Sequence, residues 1–238
     1  MRKLWIVAAV VVVAVPGLGF AADRVVAARA AGRLADRLAC AAKLSPAPEV
    51  SFGGTPFLVQ AARGSFGTVR VRAPRVSSGR FTVAVDATAH DVSLPGGGGA
   101  VRAGSLTADV TVPYAVLGAA AGQDGTPAAQ YGGDDSGRLT IGMQTQLLGG
   151  AQQLTVHATP TIAGGTLVVQ PEEVEIPVLG LRVPADRLGD RAQPRTITLP
   201  ALPAGAGYAA AKATAAGLVV TITAAGLEAG ATGGGGCD

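Results

Sequence analysis

The residue types able to do chemistry are few in this chain, and they do not form a recognisable catalytic pattern. The serines in glycine-bearing turns lie outside any G-x-S-x-G nucleophile elbow; they are Ser77, Ser78 and Ser136. Both histidines, His90 and His157, fall on the polar faces of predicted strands, where an ordinary surface histidine is favoured over a general base. We therefore expect no enzymatic activity.

Two acidic groups could in principle supply paired carboxylates or cation ligands. Asp134-Asp135 lacks the spacing of an EF-hand loop, and the group Glu172, Glu173 and Glu175 matches no metal motif. Solvent-exposed charge is the simpler interpretation of both groups. The glycine run 96–99 is not followed by Gly-Lys-Ser/Thr, so it is no phosphate loop. We expect neither a metal nor a cofactor.

The charge distribution argues against a nucleic-acid partner. The formal net charge is +3, and the 19 basic residues are dispersed along the 238-residue chain. A nucleic-acid-binding protein needs a concentrated basic surface with reading elements, and neither is present.

The amino terminus has the pattern of a targeting segment. Arg2-Lys3 precede an apolar run from Leu4 to Phe20, as in a secretory signal peptide or a signal anchor. About 17 apolar residues are at the lower limit for a membrane-spanning helix. Whether residues 1–21 are cleaved or retained, residues 22–238, predicted as one domain, would lie outside the cytoplasmic membrane.

Residues 22–44 follow with a helical pattern that has a small-residue face and a basic face. At 100° per residue one side collects Ala27, Ala30, Ala31, Leu34, Leu38 and Ala41, and the other Arg29, Arg33, Asp36, Arg37 and Lys43. The apolar face is expected to pack on a sheet. The arginines are either a solvated face or neighbours of anionic lipid headgroups, and both can hold together.

The two cysteines, Cys40 and Cys237, lie near opposite ends of the predicted domain. An even pair in an oxidising compartment is most simply a disulfide, whereas shared metal ligation lacks a recognisable spacing. We predict that they are bonded to each other.

Beyond the helix the chain alternates apolar and polar residues in the period of a strand. Examples are Phe81 to Ala89, Leu106 to Val112 and a closing hairpin of Tyr208 to Thr214 with Leu218 to Thr223. The predicted fold is α+β, with a long N-terminal amphipathic helix packed against a curved, mainly antiparallel β-sheet.

One stretch, Val50 to Val71, is unusually rich in information. It contains three of the five phenylalanines and four glycines. Gly53-Gly54 before Thr55-Pro56 predicts a turn, and Val69 and Val71 alternate with arginines as in a half-buried strand. We interpret the stretch as a turn that delivers apolar side chains into a strand.

The sequence of this stretch resembles that of the LmeA-like phospholipid-binding family of actinobacterial envelope proteins. The resemblance rests on Gly54-Thr55-Pro56-Phe57-Leu58-Val59-Gln60, then Gly64 and Val69-Arg70-Val71, with Val59 where many members carry Thr. It continues through Thr111-Val112-Pro113-Tyr114, Leu202-Pro203-Ala204-Gly205 and Gly217-Leu218-Val219-Val220.

The resemblance implies an extracytoplasmic protein that binds an anionic phospholipid such as phosphatidylinositol, at a membrane surface, in maintenance of envelope lipid or lipoglycan. It also implies a tubular lipid-binding fold with a hydrophobic groove. Candidate lining residues, each of which could instead be plain core, are Leu34, Leu38, Phe57, Leu58, Phe66, Val83, Val85, Val110 and Ile141. Candidate headgroup residues are Arg63, Arg70 and Arg72. The alternatives are an anchored envelope domain that binds another protein and a hydrolase or transferase acting on lipoglycan.

Overall fold

The computed structural model describes residues 2–78, 81–94, 100–121, 129–147 and 150–229, without the side chains of 2–18, 78, 119–121, 145–147, 188, 190, 191 and 229. A long helix opens the chain, and two antiparallel sheets follow it. The predicted α+β class is confirmed, and the strands are divided between two sheets.

Helix α1 spans Arg2–Ala41 without interruption, so the apolar run and the amphipathic segment form one helix. It ends where Lys43 adopts a left-handed backbone (φ 51°) and the Leu44 N–H donates to the Ala39 carbonyl at 2.7 Å. This bond closes the last turn in the manner of a Schellman motif. The helix therefore ends at Ala41, three residues before the end of the predicted helical pattern at residue 44.

Two predictions concern the ends of the chain. Within the part of the chain that the structure describes, no helix is both long enough and apolar enough for a membrane crossing. The assignment of residues 1–21 to a signal peptide or anchor stays a prediction. Cys237 lies outside the described residues, so its bond to Cys40 also stays a prediction.

The first sheet has six strands. They are β1 (Glu49–Gly53), β2 (Ser65–Ser78), β3 (Phe81–Ser93), β4 (Val101–Val112), β11 (Ala206–Thr214) and β12 (Gly217–Ala229). Their order is β1-β2-β3-β4-β12-β11. The last two strands form the predicted closing hairpin, in which Thr214 pairs with Gly217 and one irregularity falls between Tyr208 and Ala210.

The second sheet also has six strands. They are β5 (Gln130–Gly133), β6 (Leu139–Leu147), β7 (Gly150–Ala163), β8 (Thr166–Ile176), β9 (Leu181–Pro184) and β10 (Arg195–Thr198). Their order is β10-β8-β7-β6-β5, and β9 pairs with β8. Helix α2 (Phe57–Arg63) lies between β1 and β2, and α3 (Tyr114–Ala121) follows β4. Two 3-10 helices, Pro177–Leu179 and Ala185–Ala192, flank β9.

The described residues divide into two compact units. The first runs to Pro74 and includes Asp86 to Leu106 and the chain from Ala225 onward. The second comprises Arg75 to Val85 and Thr107 to Ala224. The predicted domain limits, 22–238, stay a prediction.

The core of the first unit is aromatic. Three phenylalanines, Phe52, Phe57 and Phe66, meet with ring centroids 5.1 to 5.7 Å apart. Ala27 of α1 and Val92 of β3 are buried against them. A small alanine on the helix lets α1 approach the rings closely, which confirms that its small-residue face packs inward.

The core of the second unit is aliphatic. Its buried residues come from both sheets and are Leu139, Ala158, Leu167, Val169, Ala213 and Leu218. Tyr114, at the start of α3, packs on this cluster and donates its hydroxyl to the Thr214 carbonyl at 2.6 Å. Burial raises the pKa of the Tyr114 hydroxyl, so this tyrosine stays protonated as a donor.

Candidate functional site

The glycine- and phenylalanine-rich stretch folds as a helix inserted into a hairpin. Gly54 takes a left-handed backbone (φ 85°), and α2 begins directly after Pro56. Strand β2 starts only at Ser65, after Gly64 ends the helix with φ 63°. The predicted turn is present, but it leads into α2 rather than straight into a strand, because Phe57–Arg63 closes helical bonds that begin at the Pro56 carbonyl.

Asp23 of α1 caps α2 from outside the hairpin. Its carboxylate accepts the Leu58 N–H at 2.8 Å and the Phe57 N–H at 3.0 Å, and Arg24 pairs with it at 2.9 Å. These two N–H groups are among the unpaired donors of the first helical turn. The backbone donors, Leu58 first, hold the pKa of Asp23 below its usual range.

Sequence reasoning missed Asp23, although a signal was present. It is buried, and it stands four residues before Ala27 on the packed face of a helix on which Arg29, Arg33, Asp36 and Arg37 are exposed. An acid at that position needs a partner, and the N-terminus of a helix supplies one.

Gln60, in the middle of the inserted helix, and Gly64, at its C-terminal end, fix the helix to its surroundings. Gln60 donates its amide to the Gly53 carbonyl at 3.3 Å and accepts the Gly67 N–H at 3.0 Å, which joins β1 to β2. The Gly64 carbonyl accepts the Leu94 N–H at 2.7 Å. A Cβ at Gly64 would lie 2.6 Å from the Leu94 carbonyl oxygen, so only glycine fits.

The second unit contains an apolar cavity of about 170 Å³ on one face of the second sheet. Its floor is a cross-strand row in which Tyr131 pairs with Ile141, Ile141 with Val156 and Val156 with Val174. Paired residues of an antiparallel sheet share a face, so all four side chains point the same way. Met143, Val169 and Pro171 extend this lining.

The cavity exists because small residues stand where larger ones would fill the space. Ala129, Ala158 and Ala192 line it, and Ala158 is completely buried in the aliphatic core. The segment leading into β10 forms the rim, where Gln193 and Arg195 contribute polar groups. The exposed Arg195 forms no ion pair with any residue the structure describes. A chamber of this size holds an apolar group about as large as benzene.

The predicted lining residues do not converge on this cavity. Ile141 is the one that lines it. Phe57 and Phe66 are core residues of the first unit, where Leu34 and Leu38 are half-buried and Leu58 is exposed. Val83, Val85 and Val110 belong to the second unit and are half-buried on the first sheet. Their role in binding stays a prediction.

The predicted headgroup arginines are largely paired. Arg70 binds both oxygens of Asp86, at 2.8 and 2.6 Å, and Arg72 adds a bond at 2.9 Å. The Arg70 guanidinium is the main cause that lowers the pKa of Asp86. Two arginines therefore share one carboxylate. Arg63, at the end of α2, is exposed.

The opposite face of the second sheet carries a charged cluster. His157 has a side chain only 13% exposed, with Nε2 3.3 Å from a Glu175 carboxylate oxygen and Nδ1 3.7 Å from Asp134. It is therefore more buried than a surface histidine. Hydrogen bonds from Ser136 and Arg138 hold the pKa of Asp134 well below its usual range. In the described part of the chain, no group of three His, Cys, Asp or Glu side chains is placed to hold a metal.

Comparison with known protein families matches residues 21–223 to one described as LmeA-like phospholipid-binding. Comparison with curated proteins and with solved structures gave no match. The matched span covers most of the chain, including α1 from Ala21, the α2 hairpin, the cavity and the first strand of the closing hairpin. The protein belongs to the LmeA-like phospholipid-binding family.

Proposed function

We propose that this protein binds one anionic phospholipid, with part of an acyl chain in the cavity of the second unit and the phosphate at Arg195. The observation that carries the proposal is an apolar chamber with an arginine at its rim, in a member of a phospholipid-binding family. Each buried CH₂ contributes about 0.8 kcal/mol, so even a short chain segment adds substantial affinity.

Arg195 is a better headgroup candidate than Arg70 or Arg72 because of its partners. The guanidinium groups of Arg70 and Arg72 already bind the carboxylate of Asp86. A phosphate arriving there would have to compete with that carboxylate. Arg195 stands at the cavity rim without such a competitor among the described residues, and a guanidinium suits a phosphate geometrically.

A binding role, rather than catalysis, is proposed for the polar residues. The acidic and basic side chains around His157 pair with one another on the face of the sheet away from the apolar row. The phospholipid would be a ligand for transport or sensing in maintenance of envelope lipid or lipoglycan, outside the cytoplasmic membrane. The basic pair Arg2-Lys3 followed by an apolar run to Phe20, as in a signal sequence, supports that location.

Native mass spectrometry of the purified protein, incubated with phosphatidylinositol or with phosphatidylcholine in detergent, tests the proposal. We expect one bound lipid per chain, with phosphatidylinositol preferred. Ile141→Trp fills the chamber and should abolish uptake, whereas Gln153→Trp, on the exposed face of β7, should leave it intact. Full uptake by the Ile141→Trp protein would refute the cavity as the site.

The headgroup assignment has its own variant. Arg195→Gln should weaken phosphatidylinositol binding about fivefold, equivalent to about 1 kcal/mol, and weaken phosphatidylcholine binding less, because the choline cation already offsets the phosphate charge. Arg70→Gln is the matched control and should change neither. Release of fatty acid or headgroup during the incubation would contradict a purely binding role.

A further inference from the structure

We propose that the outward side of α2 is a membrane-docking face that seats this protein on an anionic phospholipid surface. The face consists of Leu58 and Val59 on the helix, Phe20 beside its N-terminal end and Leu94 beside its C-terminal end. This inference goes beyond lipid binding in the cavity, because it concerns the first unit and a bilayer surface rather than a single lipid molecule.

Some residues of the inserted helix have a clear structural role, whereas two apolar residues are exposed without one. Phe57 is buried in the aromatic core, and Gln60 joins the two strands of the hairpin. Leu58 and Val59 lie between them in sequence, yet their side chains are 45% and 42% exposed. The fold of the first unit thus holds two neighbouring aliphatic side chains toward solvent on a helix that is fixed at both ends.

Hydrogen bonds link these residues to two further exposed apolar side chains. Asp23 binds the Leu58 N–H, and its neighbour Arg24 donates to the Gly54 carbonyl and lies 5.5 Å from the Phe20 ring centre. Phe20 is 58% exposed. At the other end of α2, Leu94 is tied to Gly64 and is 44% exposed. Exposed apolar residues grouped in this way mark a surface that something else covers.

The charges at this face favour a lipid surface as the occupant. Helix α2 contains no acid, and its single charged residue is the exposed Arg63. The carboxylate that caps α2, Asp23, is paired with Arg24 and accepts two backbone N–H groups. Aliphatic and aromatic side chains beside arginines match the boundary between acyl chains and phosphates of a bilayer.

Vesicle co-sedimentation of the full chain tests the proposal. Vesicles of phosphatidylglycerol mixed with phosphatidylcholine should bind Leu58→Gln/Val59→Gln at least tenfold more weakly than the wild-type protein. Val178→Gln/Leu179→Gln removes two apolar residues that are even more exposed, in the 3-10 helix before β9, and should bind normally. Arg63→Gln should bind about fivefold more weakly to these vesicles and unchanged to phosphatidylcholine alone.

A second measurement reports the position of α2 directly. In a Trp5→Phe background, tryptophan fluorescence of Val59→Trp should be quenched by vesicles of brominated phospholipid, and that of Val178→Trp should not. Val59→Trp should also bind more tightly than the wild-type protein, whereas the matched Val178→Trp should not. Unquenched Trp at 59 together with normal binding by the double glutamine variant would overturn the proposal.

Two further outcomes are decisive. A wild-type dimer that the Leu58→Gln/Val59→Gln substitutions dissociate would show that a second copy covers this face, and it would overturn membrane docking. The same double variant should still take up one phosphatidylinositol molecule in native mass spectrometry, so failure of docking and failure of cavity binding are distinguishable.

Discussion

At the scale of single residues, the best-defined interaction is the capping of α2 by Asp23. A carboxylate that receives two backbone N–H groups across a helix–helix contact couples α1 to the hairpin. We predict that Asp23→Asn lowers the melting temperature by a few degrees, because the amide can accept only one of the two bonds and turns a donor toward the other. Thermal unfolding at neutral pH measures this.

The Asp23 cap also predicts a pH dependence. Because the pKa of Asp23 is lower in the folded than in the unfolded protein, its stabilising effect is full above the unfolded value of about 4 and is lost as the pH falls through the folded pKa. The stability difference between wild type and Asp23→Asn should therefore shrink below about pH 4. Asp36→Asn, on the exposed side of α1, is the control and should change stability little.

For single residues, the sequence predicted which apolar side chains face inward, but it did not predict which partners the arginines have. Phe57 and Phe66 were correctly singled out as apolar and inward-facing, but periodicity cannot distinguish a core from a ligand groove. Arg70 and Arg72 were chosen for their charge, and the Asp86 partner that occupies them comes from a different strand. Such pairings depend on strand register, which the pattern of one segment does not determine.

At the scale of elements, helix α2 and the residues that cap it were not predicted from the sequence. Seven residues are too few for a helix that is stable alone, so this one depends on Asp23, Gln60 and Gly64. The strands and the closing hairpin follow the alternation of side chains, but three of the predicted strands are four to six residues too short at one end: β3 extends to Ser93, β4 begins at Val101 and β12 extends to Ala229. Helix α1 runs across Pro16-Gly17 without a break, although proline and glycine are unfavourable in the interior of an isolated helix.

The C-terminal cap of α2 gives a sharp prediction. Gly64→Ala should destabilise the protein by about 2 kcal/mol or more, because a left-handed backbone and the nearby Leu94 carbonyl both oppose a Cβ. Gly67→Ala is a close control, since a Cβ there meets no atom within 4 Å. Chemical denaturation of both variants measures the difference, and equal stability would contradict the role assigned to Gly64.

At the scale of the whole molecule, the chain was predicted to be an α+β protein with a long N-terminal helix and mainly antiparallel strands, and it is, although the strands form two sheets rather than one. Which strands join which sheet was not predictable, because both sheets use the same apolar–polar alternation. The cavity was equally hidden: its row of Tyr131, Ile141, Val156 and Val174 comes from four strands whose register appears only in the fold.

The two proposed lipid contacts predict different patterns of hydrogen exchange over the whole molecule. A phospholipid in the cavity should slow amide exchange in β6, β7 and β8, since their side chains line it and a bound ligand stabilises the native state. At a hundredfold excess over Kd the expected stabilisation is about 2.7 kcal/mol. Phosphatidylinositol in detergent should protect only β6, β7 and β8 from exchange. Vesicles of phosphatidylglycerol should in addition protect α2. The Ile141→Trp protein should lose the protection of β6, β7 and β8 by phosphatidylinositol. It should keep the protection of α2 by vesicles, because the aromatic core that supports α2 contains no cavity residue. Protection of α2 by monomeric lipid in the Ile141→Trp protein would instead assign the lipid to the first unit, against the cavity.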